Sequence, residues 1–164
     1  MTDQDQQAIP SEDGEAKPVR RPPRRVSREF VLQGLYQWRV GGMDVASVEA
    51  HMQDAPGFDK ADRNFFINLL RGTIARELEL TQLAAAYVDR NFADLSPIEA
   101  CILLLGAFEL QQHPETPYRV IINEAIELAK TFGGTDGHRY VNGVLDKLAA
   151  QLRPEEVEAR KQKR

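Results

Sequence analysis

The sequence predicts an all-α protein with one core, built from six or seven helices. Apolar residues recur every three or four positions along most of the chain, as they do on one face of a helix. No segment alternates apolar and polar residues over a useful length, and hairpin dipeptides between β-branched runs are missing. Hydrophobic residues make up 42% of the 164 residues, which is enough for one core.

The two ends of the chain differ in composition from its middle. Residues 1–22 are polar and Pro-rich without periodic apolar positions, so we expect a disordered tail that ends in a basic arm. Residues 154–164 predict a charged C-terminal tail, loosely helical at most. The folded unit is therefore expected over residues 23–153.

In the N-terminal half, a helical apolar stripe predicts a first helix from about Pro23 to Val40, which Gly41-Gly42 ends. A short helix is expected at 44–53, followed by a turn at Pro56-Gly57. Asp59 is the predicted N-cap of the next helix. The pattern leaves open whether residues 59–90 form one bent helix or two.

The C-terminal half has clearer boundaries. Ser96, Pro97 and Glu99 match a capping box with proline at the first helical position, which predicts a helix over about 97–112. That segment is apolar nearly all round, so we expect it to be central and buried.

Two further helices are predicted after it. Thr116-Pro117 repeats the cap-plus-proline signal before a helix at about 117–131, which Gly133-Gly134 ends. Asp136 is the predicted cap of a last helix that stops before Pro154.

The sequence gives no sign of catalytic, metal or membrane chemistry. It has no phosphate-binding glycine loop and no nucleophile elbow, and its three histidines lack a second ligand at metal-binding spacing. Glu124 and Glu127 lack the partners of a two-metal site, which favours a solvated helix face. Cys101 lies in an apolar run, which favours a buried thiol over a reactive one.

The absence of an apolar run of roughly 18 residues and of a signal-peptide core predicts a cytoplasmic protein. Because the catalytic and metal-binding motifs are missing, we also predict no enzyme activity, no cofactor and no metal.

Charge along the chain suggests binding to nucleic acid. The formal net charge is −4, yet residues 17–28, which we call the basic arm, contain six basic residues and no acid. Arginine suits phosphate oxygens and stacks on unpaired bases. A solvated basic tail is the alternative interpretation of the same run.

The start of the last helix is a second candidate. It places a cation, an aromatic ring and an amide within one turn, from Arg139, Tyr140 and Asn142. These groups recognise single-stranded RNA, and free N–H groups at a helix N-terminus favour anions. The alternative is that Tyr140 is a core residue. Tyr36 and Tyr87 also flank apolar stripes and could stack on bases or pack inside.

A third candidate is a polar line on the central helix. Glu99, Gly106, Glu109 and His113 share one side of an otherwise apolar segment. An acidic stripe with a glycine notch fits a basic partner protein. The alternative is the one solvent-facing stripe of a buried helix.

Three stretches of sequence are distinctive: RRVSREFVLQGLYQW, LSPIEACILLLGAFEL and PYRVIINEAIELAKTFGGTDGHRYVNGVLDKL. With the residues between them, they resemble the NusB family of bacterial antitermination factors over about residues 22–153. The resemblance implies a fold of two packed helical subdomains. It also implies binding of boxA RNA, a short single-stranded element of ribosomal RNA transcripts, together with NusE, a ribosomal protein of the small subunit. That pair joins the RNA polymerase elongation complex with other Nus factors and promotes processive elongation.

The resemblance also implies site residues. It places the RNA arm at Arg24, Arg25 and Arg28, and Tyr87, Arg139 and Tyr140 match positions near the bound RNA. Asp136 also lies close to the RNA by this resemblance, and we expect it to cap the helix and repel phosphate. Val26 departs from members with a longer arginine run, so the arm supplies one phosphate contact fewer. The predicted RNA-binding residues are Arg24, Arg25, Arg28, Tyr87, Asp136, Arg139, Tyr140 and Asn142. The predicted NusE-binding residues are Tyr36, Glu99, Gly106 and Glu109.

Two alternatives remain. A similar helical domain guides ribosomal RNA cytosine methyltransferases, but those enzymes need a long C-terminal catalytic domain, which we do not expect in a chain ending at Arg164. A helical protein-interaction module without an RNA role is favoured if the arm and the start of the last helix lie on unrelated faces.

Overall fold

The computed structural model describes residues 21–163, and within that range it contains eight α-helices, two 3-10 turns and no strand. The all-α prediction is confirmed, whereas six or seven helices is too low a count. The residues 1–20 of the predicted tail lie outside the described range. No helix in the described range is long and apolar enough to cross a membrane. The helices are α1 (Pro23–Arg39), α2 (Val45–Gln53), α3 (Arg63–Ala75), α4 (Glu77–Ala85), α5 (Pro97–Gln112), α6 (Tyr118–Phe132), α7 (Gly137–Leu152) and α8 (Pro154–Gln162).

Helix α5 is the centre of the fold, as its composition predicts. Every residue from Ala100 to Leu110 is buried, and α5 contacts α1, α3, α4, α6 and α7. Helices α1, α2 and α3 pack on one another, while α4, α6 and α7 pack with α5. Contacts of α1 and α3 with α5 join these two groups into one core.

The segment 59–90 forms two helices, α3 and α4, which meet at Arg76. Asp59 does not cap α3, so that prediction is wrong. Gly57 has a φ of 90°, and the chain makes a 3-10 turn that buries Phe58 before α3 can begin. Asp62 is the N-cap instead, and its carboxylate accepts a hydrogen bond from the Phe65 N–H at 3.1 Å.

The caps of the last three long helices follow the prediction in part. Ser96 accepts the Glu99 N–H at 3.1 Å, as expected for the start of α5. Thr116 does not cap α6; Pro117 holds the cap position, and the Tyr118 N–H donates to Glu156 of α8 at 2.8 Å. Asp136 occupies the cap position of α7 but makes no capping hydrogen bond with its side chain.

Arg153 fixes the end of α5 and the start of α8. Its guanidinium is buried and also bonds the carboxylate of Glu156 at 2.9 Å. Since the last carbonyls of a helix have no partner within that helix, this arginine supplies the donors they need. The segment predicted as a charged tail contains α8, which packs on the core through Val157. The carbonyl oxygens that accept from Arg153 belong to Glu109, Leu110, His113 and Thr116.

We expect Arg153→Ala to lower the free energy of unfolding by about 3 kcal/mol, because it removes a buried side chain and leaves the carbonyl oxygens of Leu110 and Thr116 without their donor. Urea denaturation followed by circular dichroism measures the change. Arg160→Ala, on the exposed side of α8, is the matched control and should leave stability within about 0.5 kcal/mol of the parent. Equal midpoints for the two variants would contradict the role of Arg153.

Candidate nucleic-acid interface

The first two turns of α1 carry Arg24, Arg25 and Arg28 of the basic arm, while Arg21 precedes the helix and pairs with Glu29. The Arg24 guanidinium lies 4.2 Å from the centre of the Phe65 ring and 3.8 Å from the Asp62 carboxylate. Arg25 makes two hydrogen bonds to Glu124 of α6, at 3.1 and 2.8 Å, and these bonds raise the pKa of Arg25. The side chains of Arg24 and Arg25 are 51% and 38% exposed, so both remain open to a phosphate.

Arg28 is held in the interior instead of on the RNA surface where we expected it. Its guanidinium makes two hydrogen bonds of 2.8 Å to Glu109, and the two side chains are 5% and 2% exposed. Burial alone would lower the pKa of Arg28, but the hydrogen bonds and charge of Glu109 raise it above the ordinary value. This correction follows from helical periodicity, because Arg28 shares the core stripe of Val31 and Leu35.

The same pairing corrects the predicted partner stripe on α5. Glu109 faces Arg28 and cannot face a partner protein. Gly106 is buried as well, since a Cβ there would lie 2.9 Å from a methyl carbon of Leu145. The glycine therefore allows α7 to pack closely on α5 and is not a surface notch.

The two other predicted partner residues are accessible. Tyr36 is 38% exposed near the end of α1. Glu99 is half-buried at the start of α5, with its carboxylate against Gly137. A Cβ on Gly137 would lie 2.8 Å from that carboxylate, so a larger residue there would displace the Glu99 side chain.

Tyr140 belongs to a polar and aromatic cluster between α7 and the loop after α4. Its hydroxyl donates to the Asp89 carboxylate at 3.2 Å, and the Arg90 guanidinium lies 5.0 Å from the centre of its ring. Arg90 also bonds Asp89 at 2.8 Å and thereby lowers the pKa of that carboxylate. On the same side of α7, the Tyr87 hydroxyl donates to Gln151 at 2.5 Å. We call these five residues the tyrosine cluster.

Both tyrosine rings pack against the core with one side and are half-buried, so part of each ring faces solvent. Sequence analysis missed Arg90 because its contact with Tyr140 joins residues 50 positions apart. The signal that could have found it is its position three residues after Tyr87, in the loop that follows α4.

The remaining predicted residues lie around the start of α7. Arg139 and Asp136 are exposed. The side-chain oxygen of Asn142 is buried, and within the described residues it has no hydrogen-bond partner. It is an unused acceptor one turn from Arg139.

The arm and the tyrosine cluster are separate in the structure. The exposed arginines Arg24 and Arg25 contact α3 and α6, whereas the cluster joins α7 to the segment that ends α4 and the loop after it. Helices α6 and α7 pack side by side and connect the two regions.

A family model and relatives of similar sequence carry the same family name. A family model described as "NusB family" matches residues 25–150. A relative from Dechloromonas aromatica (strain RCB), named transcription antitermination protein NusB, is 65% identical over 147 residues, which are 88% of this chain and 90% of that protein. A protein of the same name from Ralstonia pickettii (strain 12J) is 55% identical over 89% of this chain and 94% of its own.

Solved structures share the fold. NusB of T. maritima has a TM-score of 0.74 and 26% identity, and the match covers 83% of this chain and 97% of that one. A structure of the antitermination factors NusB and NusE in complex with dsRNA has a TM-score of 0.69 and 17% identity over 77% of this chain and 96% of that one.

We expect Glu109→Leu to destabilise the protein by about 3–5 kcal/mol, because it leaves the Arg28 charge buried without a partner. The double variant Arg28→Met/Glu109→Leu should recover most of this loss, since it removes both charges. Urea denaturation of the two variants and the parent measures the difference. A single variant as stable as the parent, or a double variant no better than the single, would contradict the interior ion pair.

Proposed function

Because the chain belongs to the NusB family, we propose that it is a transcription antitermination protein that binds boxA RNA together with NusE. The observation that carries this proposal is the family match over residues 25–150, supported by relatives of the same name at 65% and 55% identity. The protein would act by binding alone, without catalytic chemistry or a cofactor. Its place of action would be the cytoplasm, on the RNA polymerase elongation complex with other Nus factors.

The proposed RNA surface has an electrostatic part and a stacking part. Arg24 and Arg25 would contact phosphates, because each keeps a substantial exposed fraction despite its carboxylate partner. Tyr87 and Tyr140 would receive unpaired bases on the open sides of their rings. Arg90 lies over the Tyr140 ring, so we add it to the proposed RNA-binding residues.

The start of α7 would add polar contacts. Arg139 is exposed and can bind a phosphate. Asn142 would contact a base only with its side chain turned outward, because its amide oxygen is buried in this structure. Asp136 would repel phosphate and so moderate affinity. Since Arg25 contacts α6 and Tyr140 belongs to α7, which packs on α6, we propose that the RNA runs along these two helices.

For NusE we propose a surface that includes Tyr36 and Glu99. Arg28, Glu109 and Gly106 would support this surface from inside without touching the partner, since all three are buried. The family contains NusB proteins that bind NusE, and a structure with this fold holds both factors with dsRNA.

A protein-interaction module without an RNA role is the second candidate. It is favoured by the separation of the arm from the tyrosine cluster in the described part of the chain. A titration with boxA RNA, with and without NusE, against a scrambled RNA of equal length separates the two candidates. Preference for boxA supports the antitermination role, whereas equal weak binding of both RNAs supports the interaction module.

We expect the double variant Arg24→Ala/Arg25→Ala to bind boxA RNA more weakly and with less salt dependence. Loss of two phosphate contacts should reduce the slope of log K against log salt by about 1.4, at about 0.7 per contact for single strands. Arg160→Ala/Lys161→Ala removes the same charge from α8 and is the control. An unchanged slope in the arm variant, or the same change in the control, would show that the arm does not contact phosphate.

Tyr140→Ala and Glu99→Lys should separate the two binding activities. The first should cost roughly 1–3 kcal/mol of boxA affinity by loss of one stacked base and leave NusE binding intact. The second should weaken NusE binding by charge reversal while RNA binding by the isolated protein is retained. Calorimetric titrations with each partner, after circular dichroism confirms folding, measure both effects. A variant that affects both partners equally would contradict separate surfaces.

A further inference from the structure

Helices α2 and α3 form a shallow groove, and none of the residues that line it belongs to the proposed RNA or NusE surface. Its floor consists of small and apolar side chains, from Val45, Ala46 and Ala50 of α2. Its rim carries Arg63, the first residue of α3, and Arg71, about two turns further along the same helix. Eight residues of helix separate these arginines by about 12 Å, at about 1.5 Å per residue.

The groove carries one more positive than negative charge. Arg71 makes two hydrogen bonds to Glu49, at 2.7 and 2.8 Å, and its side chain is still 61% exposed. Arg63 donates its Nε–H at 3.0 Å to the neutral amide of Gln53. Among the residues that line the groove, Glu49 is the one carboxylate beside two arginines. The hydrogen bond from Arg71 and the charges of both arginines lower the pKa of Glu49. A carboxylate added near Arg63 would balance the charge.

The first 16 residues of the same chain have the complementary pattern. They contain five acids and no base, and the short apolar run Ala8-Ile9-Pro10 lies between the two acidic groups. The groove likewise has an apolar floor between two cations. The five acids are Asp3, Asp5, Glu12, Asp13 and Glu15.

The start of the described chain lies at one end of this groove. The Pro23 carbonyl accepts the Asp62 N–H at 3.4 Å, and Arg63 is the next residue along α3. From Arg21, the nine residues back to Glu12 can span about 30 Å at about 3.3 Å per residue, which exceeds the length of the groove. A segment tethered this closely has an effective concentration on the order of millimolar, so even weak ion pairs would hold it.

We propose that the groove between α2 and α3 binds the acidic segment 1–16 of the same chain. Carboxylates of the segment pair with Arg63 and Arg71, and Ala8 and Ile9 cover the apolar floor. The groove adjoins the arm but uses none of the residues proposed to bind RNA, so the proposal does not depend on RNA binding.

A spin label on the full-length variant Gln7→Cys tests the contact. Cys101 does not compete for the label, because it is fully buried and burial raises the pKa of its thiol to about 11. In low salt, the amide NMR signals of α2 and α3 should lose intensity beside the label. The loss should disappear at 1 M salt, where the Debye length is about 3 Å.

Three variants complete the test in the labelled full-length chain. Arg63→Gln/Arg71→Gln should restore the α2 and α3 signals, and Arg160→Gln on α8 should not. A chain whose five N-terminal acids are replaced by amides should also restore them without touching the described fold. Signal loss centred on residues 21–28 or on the tyrosine cluster, or spread evenly over the protein, would overturn the proposal. So would signal loss that persists in both the arginine and the amide variants.

Discussion

The buried ion pair between Arg28 and Glu109 determines how the first helix sits on the central one. Helix α5 is apolar all round, and Glu109 is a carboxylate in its fully buried stretch, so it requires a cation from a neighbouring helix. Arg28 supplies that cation with a planar, two-bond contact that fixes both distance and rotation of α1. With α1 held in this orientation, Arg24 points to the start of α3 and Arg25 to α6. One interior contact therefore orients the exposed part of the arm.

Local signals were sufficient to predict most helices. The start of α5 was predictable because Ser96 and Pro97 act within one turn, and its burial followed from composition alone. The start of α3 was not, because the choice between Asp59 and Asp62 depends on a turn that buries Phe58 under distant residues. The cap of α6 was also beyond local analysis, since Glu156 reaches it from 38 positions away.

In the candidate site, too, local signals were predictable and long-range contacts were not. Sequence analysis found the two tyrosines and the exposed arginines, because residue type and helical spacing are visible in one chain. It placed Arg28 on the surface because of its charge, although Arg28 shares the helical stripe of Val31 and Leu35 that packs inside. Gly106 was predicted to be a surface notch, because a glycine on a helix fits either an exposed notch or a close packing of two helices.

The position of Arg153 matters when a truncated version of this chain is designed. The match to the family model ends at residue 150, yet the buried Arg153 lies three residues further along the chain. Its guanidinium donates to carbonyl oxygens at the C-terminal end of α5. A fragment trimmed to the similarity limit would lose a helix that looks dispensable by composition and, with it, the donors for four internal oxygens. The residues that satisfy the end of the central helix therefore extend beyond the range that the family model matches.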